Sequence, residues 1–83
     1  MDIKIYTSTG CFYCTQVKEL CKRAELEYNE VVIGEDIARK DFNEEHPNCD
    51  GFPWVIIDGE TIGGLIPTAK YFLKEGLVSA RKD

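Results

Sequence analysis

The sequence predicts an α/β domain in which three helices pack on a four-stranded mixed sheet, in the order β-α-β-α-β-β-α. Two observations predict this fold class. Strand-like and helix-like hydrophobic spacings alternate along the chain, and an Asp58-Gly59 turn joins two short strand-like runs. The chain has 83 residues, the size of one small domain, and neither a linker nor a repeat interrupts it. Residues 1–83 are therefore interpreted as a single domain.

The first part of the chain predicts a parallel β-α-β unit. Alternating β-branched and aromatic residues predict a strand over Ile3–Thr7, and a helix follows from Cys11 or close to it. One face of that helix carries apolar residues at steps of three and four: Cys14, Val17, Leu20, Cys21 and Ala24. Residues 26–33 predict the second strand, which Gly34 ends. A unit of this kind joins parallel strands through a right-handed crossover.

The second part predicts a short helix, a hairpin and a last helix. Residues 35–45 are polar with few apolar anchors, and they predict a short helix that His46-Pro47 ends. The apolar run Trp54–Ile57 and the run 60–62 predict two antiparallel strands. A last helix is indicated by its first residue, its stop and its buried side chains: Pro67, Gly76, Tyr71, Phe72 and Leu73.

Acidic residues outnumber basic ones, 15 to 10, so the net charge is -5 at neutral pH. Such a surface repels phosphate backbones and acidic lipids, so neither nucleic acid nor a membrane is expected as a partner. No apolar run approaches the roughly 20 residues of a membrane-spanning helix, and the start of the chain lacks the pattern of a secretion signal. We therefore expect a cytoplasmic protein.

Cys11 and Cys14 form a Cys-x-x-Cys pair where the first strand gives way to the first helix. The free amide groups and positive dipole end of a helix stabilise a thiolate, so Cys11 is the predicted nucleophile. Cys14 lies one turn into the helix, where it can displace a substrate from Cys11 and close a short disulfide ring. The spacing predicts reversible dithiol-disulfide exchange.

A structural zinc site is the alternative for this pair, but it needs a second compact pair of ligands. The remaining ligand types are scattered along the chain, so we expect no metal: Cys21, Cys49 and His46. Cys21 shares the apolar helix face and is interpreted as a small buried hydrophobe. Cys49 lies in a turn-like stretch and is interpreted as a surface thiol, and His46 as a solvated cap at a helix end.

Pro53 directly precedes the apolar run of the third strand, where a proline interrupts the pairing of an inner strand. It is therefore expected to open that strand. The general frequencies of X-Pro bonds favour its trans form.

Three motifs in this order resemble the dithiol type of glutaredoxin: the segments Cys11-Phe12-Tyr13-Cys14, Gly51-Phe52-Pro53 and 57–64. The family's cysteine motif is Cys-Pro-Tyr-Cys, and Phe12 replaces its proline here. The likeness extends over residues 3–73, and it implies a thioredoxin-like fold.

The resemblance also implies an activity and a substrate groove. Cys11 and Cys14 are the implied catalytic residues of a glutathione-dependent thiol-disulfide oxidoreductase, which reduces protein disulfides or glutathione mixed disulfides. The implied Phe52-Pro53 bond is cis and Pro53 faces Cys11, while backbone amides near the double glycine hold a carboxylate of glutathione. The implied substrate-binding residues are Tyr13, Phe52, Pro53, Gly64 and Leu65. Glutathione is the implied co-substrate, with no tightly bound cofactor, and the protein is expected to be a monomer. A disulfide-containing client is implied, with ribonucleotide reductase as a candidate by family analogy.

Departures from the family's pattern leave two alternatives open. Ser8 stands where many members carry a lysine, and apolar Leu65-Ile66 stands where an acidic group is common. Relatives that thioredoxin reductase reduces also lack these charges, so that electron donor is one alternative. Members without the motif's proline, replaced here by Phe12, sometimes hold an iron-sulfur cluster with glutathione, so a cluster-binding module is the other.

Overall fold

A computed structural model describes residues 1–49 and 51–78. The strands and helices follow the predicted order: β1 (Ile3–Thr7), α1 (Phe12–Arg23), β2 (Asn29–Val32), α2 (Arg39–Glu45), β3 (Trp54–Ile57), β4 (Glu60–Gly63) and α3 (Leu65–Lys74). The four strands form one mixed sheet in the order β2-β1-β3-β4. This architecture confirms the predicted α/β fold class. No helix in the described part of the chain is long and apolar enough to cross a membrane.

The strand register brings the two halves of the chain together where β1 ends and β3 begins. Strand β1 pairs parallel with β2 and antiparallel with β3, and β3 pairs antiparallel with β4. Tyr6 near the end of β1 lies opposite Trp54 at the start of β3, and Val55 lies opposite Gly63. The segment before β3 and the segment after β4 therefore meet beside the loop that leads from β1 into α1.

Helices cover both faces of the sheet, because strand residues alternate between the faces. On one face α1 and α3 pack over the larger core, whose buried residues are Ile3, Ile5, Val17, Cys21, Val55, Ile57 and Phe72. On the other face α2 packs over a smaller core whose buried residues are Tyr6, Ile33 and Phe42. Phe42 is the buried residue that the short helix α2 supplies.

Two elements begin later than predicted. The predicted second strand starts at residue 26, but Glu25 has a φ of 57° and the Leu26 amide donates to the Cys21 carbonyl, 2.9 Å, so this segment closes α1. The predicted second helix starts at residue 35. There Asp36 Oδ2 accepts from the Val32 amide at 2.9 Å and holds a turn, and α2 begins four residues later at Arg39.

The last helix starts earlier than predicted. Gly64 is the N-cap of α3, and the Thr68 amide donates to the Gly64 carbonyl at 3.1 Å. Pro67 falls within the first turn, where its missing N–H removes no helical hydrogen bond.

His46 is less exposed than predicted. It does end α2, but its ring packs against Tyr6 and Phe42 at centroid distances of 5.1 and 5.0 Å. The interpretation of His46 as a solvated cap was wrong, because the ring covers the edge of the smaller core.

Candidate active site

The cysteine pair lies at the amino end of α1. Cys11 is the N-cap residue, and its Sγ accepts a hydrogen bond from the Cys14 amide at 3.1 Å. The two cysteines form a disulfide with their Cα atoms 5.3 Å apart. A sulfur that accepts from a helical amide at the positive end of the dipole is stabilised when it carries charge. The local backbone therefore favours a thiolate at Cys11 once the disulfide is reduced.

Cys11 and Cys14 differ in their access to solvent. Cys11 is half-buried, whereas Cys14 is 2% exposed and packs on the inner face of α1. A substrate thiol or disulfide therefore reaches Cys11 first. This asymmetry fits a nucleophile at Cys11 and a resolving thiol at Cys14.

An apolar groove of about 380 Å³ lies beside this helix start. Its lining residues come from α1, from the segment before β3 and from the start of α3: Tyr13, Gly51, Phe52, Pro53, Gly64, Leu65, Ile66 and Pro67. The groove thus brings together all of the predicted substrate-binding residues. The Phe52-Pro53 peptide bond is cis, as the resemblance implied and against the general X-Pro frequencies.

The sheet builds the groove through the neighbouring ends of β3 and β4. Pro53 directly precedes β3. Gly63 is the last residue of β4, where it pairs with Val55, and Gly64 follows it. A Cβ atom at Gly64 would lie 3.6 Å from the Pro53 carbonyl oxygen, which is ordinary van der Waals contact. The start of α3 therefore lies against the proline segment, with room for a Cβ atom at Gly64.

The groove offers backbone amides and apolar surface rather than charge. None of the described residues that line it is charged, and Tyr13 and Ile66 at its rim are 59% and 62% exposed. A cation lies just outside: the Arg39 guanidinium carbon is 5.7 Å from the centre of the Phe52 ring. Arg39 was not among the residues predicted for the site, and the sequence carries no signal for its contact with Phe52.

The cysteines line a second, more polar cavity of about 390 Å³, which shares none of the groove's described lining residues. Its lining residues are Thr7, Ser8, Gly10, Cys11, Phe12, Cys14, Thr15, Lys18 and Glu30. Lys18 Nζ lies 3.1 Å from Glu30 Oε2, and the Thr7 hydroxyl donates to the same oxygen at 2.8 Å. Lys18 and Glu30 were not among the residues predicted for the site. The disulfide therefore lines the charged cavity, while Tyr13 beside it on α1 lines the apolar groove.

Cys21 and Cys49 lie away from the disulfide. Cys21 is fully buried in the larger core, which confirms its interpretation as a small hydrophobe, and this burial raises the pKa of its thiol to about 11. Cys49 is half-buried beside α2, where its Sγ donates to the Gly51 carbonyl at 3.2 Å. Cys49 is thus more enclosed than the predicted surface thiol.

Comparisons with known proteins agree with this geometry. The glutaredoxin family model matches residues 3–62. The chain is 35% identical over 68 residues to "Glutaredoxin 1" of Rickettsia bellii, covering 75% of this chain and 67% of that protein. It is 31% identical over 71 residues to "Hybrid peroxiredoxin hyPrx5" of Haemophilus influenzae, covering 86% of this chain but only 29% of that longer protein.

A solved structure shows the same fold. The crystal structure of glutaredoxin 1 from Francisella tularensis, complexed with cacodylate, superposes with a TM-score of 0.76 at 28% identity, covering 92% of this chain and 95% of that one. The thioredoxin-like fold is thereby confirmed. The match to the family model spans most of the chain and includes Cys11 and Cys14, so this chain belongs to the glutaredoxin family.

Proposed function

We propose that this chain is a glutathione-dependent thiol-disulfide oxidoreductase that reduces protein disulfides or glutathione mixed disulfides. Family membership and the Cys-x-x-Cys pair support thiol-disulfide oxidoreductase activity in general. The observation that carries the specific proposal is the asymmetry of the pair. Cys11 is accessible at a helix N-cap near the groove, whereas Cys14 is buried on the inner face of the same helix. A disulfide-containing client is the proposed substrate, and a cytoplasmic monomer is the proposed working form.

The proposed cycle follows from the chemistry of thiol-disulfide exchange. The Cys11 thiolate attacks one sulfur of a client disulfide, and the other client sulfur leaves as a thiolate and takes up a proton. The Cys14 thiolate then attacks Cys11 Sγ, so the client is released reduced and the Cys11–Cys14 disulfide forms. Two glutathione thiols return this disulfide to the dithiol and become glutathione disulfide, which balances the two electrons.

The groove supports the glutathione part of the proposal. The first amides of α3 have no intrahelical acceptor, so the amides at Gly64 and Leu65 are available for a carboxylate. The backbone of Phe52 is proposed to pair with the cysteinyl part of glutathione. Arg39 beside Phe52 supplies a cation for the second carboxylate of glutathione, because the described residues that line the groove carry no charge.

Steady-state turnover of a small glutathione mixed disulfide, with glutathione and glutathione reductase as the electron source, tests the proposal. We expect activity in the wild type, none in Cys11→Ser, and activity retained in Cys14→Ser, because exchange with a mixed disulfide needs only the first thiol. With a protein disulfide as substrate, Cys14→Ser should lose activity as well. Cys49→Ser is the matched control and should behave as the wild type.

The result that would overturn the proposal is a folded wild type with no glutathione-dependent turnover. Activity that appears only with thioredoxin reductase as the electron donor would assign the chain to the alternative type of electron supply.

A further inference from the structure

We propose that Lys18 stabilises the thiolate of Cys14, and that Glu30 and Thr7 hold Lys18 in position for this purpose. This inference rests on the proposed function, because it concerns the step in which Cys14 displaces the client from Cys11. In that step Cys14 loses its thiol proton to water, its thiolate bonds to Cys11 Sγ, and the bond between Cys11 and the client breaks. The client sulfur leaves as a thiolate and is then protonated.

Burial makes this step difficult without a nearby cation. Cys14 is 2% exposed, and the apolar side chains of the larger core pack around the same helix face. Burial disfavours the charged form of a thiol, so burial alone would slow the attack by Cys14. The Cys14 amide already donates to Cys11 Sγ, so it serves the other sulfur.

Lys18 is the cation that the fold directs toward Cys14. The two residues are four apart on α1, so they are neighbours on the helix surface, and a helical side chain leans toward the N-terminus. Both line the polar cavity, where Lys18 is the one cationic side chain among the described lining residues. The Lys18 side chain is half-buried, with 28% of its surface exposed. Solvent therefore screens it only in part.

Glu30 and Thr7 fix the ammonium group in place. Glu30 Oε2 is 3.1 Å from Lys18 Nζ, and it accepts from the hydroxyl of Thr7, which is 2% exposed at the end of β1. The carboxylate is anchored to the sheet rather than to the helix, so it holds a flexible lysine side chain at the sheet side of the cavity. Its own charge opposes a thiolate, so Lys18 and Glu30 act on Cys14 with opposite signs.

The charged groups around Cys14 make the expected signs clear. Cys11, Lys18 and Glu30 are the titratable side chains among the described lining residues of the cavity. Strand β1 contributes the uncharged Thr7, and α3, which packs against α1, buries Thr68 and Phe72. Removal of the lysine charge should disfavour the Cys14 thiolate, and removal of the glutamate charge should favour it.

A thiolate titration tests the inference without any substrate. In a Cys11→Ser/Cys49→Ser background, the remaining thiols are Cys14 and Cys21, and Cys21 titrates separately because its pKa is about 11. We expect Lys18→Met to raise the midpoint pH of the Cys14 thiolate absorbance by about 0.5–1 unit. Glu30→Gln should lower the midpoint, because the glutamine oxygen can still accept from Lys18 and Thr7 and so hold the lysine in place, while the opposing negative charge is gone. Lys22→Met, an exposed lysine one turn further along α1, is the matched control and should leave it unchanged.

The opposite signs separate an electrostatic role from a structural one. A general loosening of the site would move both variants in the same direction, and an uninvolved lysine would move neither. Either result overturns the inference. Lys18→Arg should restore the wild-type midpoint, because it keeps the charge in place.

Turnover supplies the second test. We expect Lys18→Met to slow reduction of a protein disulfide about three- to tenfold at neutral pH, in proportion to the lost thiolate fraction, and to slow turnover of a glutathione mixed disulfide less, because that reaction does not use Cys14. An equal loss on both substrates would overturn the inference. If the wild type lacks glutathione-dependent turnover, the proposed function fails while the titration still decides the role of Lys18.

Discussion

In the proposed binding of glutathione, Arg39 is the residue whose charge is expected to contribute. Its guanidinium lies over the Phe52 ring, next to a groove in which none of the described lining residues is charged. A single exposed ion pair contributes ~0.2–1 kcal/mol. Arg39→Met should therefore raise KM for a glutathione mixed disulfide about 1.5- to 5-fold and leave kcat nearly unchanged. Steady-state kinetics measure both constants.

The neighbouring Lys40 provides the control for that measurement, because it is also a basic, exposed residue at the start of α2. Lys40→Met should leave KM at the wild-type value. An equal rise in KM for both variants would attribute the effect to the overall charge of the protein, and Arg39 would then have no specific role.

Cys21 links the stability of the fold to alkaline pH. Burial raises the pKa of its thiol from 9.0 to about 11, so the thiol form is favoured in the folded state. The resulting stabilisation is fully present below pH 9 and is lost as the pH rises from 9 to 11. Urea unfolding should therefore show a loss on the order of 1 kcal/mol from this group by pH 10. A Cys21→Ala variant should lack this part of the pH dependence, and an unchanged pH profile in that variant would contradict the prediction.

At the scale of elements, the junction between β4 and α3 depends on Gly63. Its φ is 121°, a conformation that favours glycine, and an added Cβ would lie 3.3 Å from Pro67 Cγ. Gly63→Ala should therefore lower the free energy of unfolding by about 1–3 kcal/mol. Gly64 has ordinary extended backbone and more space, so Gly64→Ala should lower it by about 1 kcal/mol or less, as expected at an N-cap. Urea denaturation of the two variants compares them directly, and equal losses would disprove the role of the Gly63 conformation.

The elements that could be predicted from the sequence are those with a local signal. Strand β1, the Asp58-Gly59 hairpin and the helix after Cys11 each carry a hydrophobic period or a turn pair of their own. The starts of β2, α2 and α3 differ from the predictions because tertiary or capping interactions decide them. Asp36 caps a turn that the polar composition of the segment does not reveal, and Gly64 begins a helix before the proline that was expected to open it.

The candidate site was predictable only where its residues are close in sequence or match a family motif. The roles of Cys11 and Cys14 followed from their spacing and from helix electrostatics. The grouping of Phe52 with Gly64 followed from the resemblance alone, because it depends on the register between β3 and β4. Lys18 and Glu30 carried no such signal, since Lys18 on α1 meets Glu30 on β2 only in the folded structure.

At the scale of the whole molecule, the sheet separates two cores of unequal size. The larger core between the sheet and the helices α1 and α3 is rich in buried aliphatic residues, whereas the smaller core under α2 rests on three buried side chains: Tyr6, Ile33 and Phe42. The groove draws residues from both sides, because Tyr13 belongs to α1 and Phe52 packs against the smaller core. Loss of either core should therefore affect the site, by different routes.

The two buried phenylalanines distinguish these routes. Phe72 is fully buried in the larger core. Phe72→Ala should therefore lower the free energy of unfolding by about 3–5 kcal/mol, a large part of the 5–15 kcal/mol that is usual for a domain.

Phe42 is the buried anchor of α2, and its ring lies 5.3 Å from that of Phe52. In native-state hydrogen exchange, α2 of the wild type should open at lower free energy than α1, because few buried contacts hold it. Phe42→Ala should then increase exchange in α2 and raise KM for a glutathione mixed disulfide while α1 stays protected, and Phe72→Ala should increase exchange in all elements together. If Phe42→Ala exposed α1 and α2 equally, the two cores would be one cooperative unit, and the groove would depend on global stability alone.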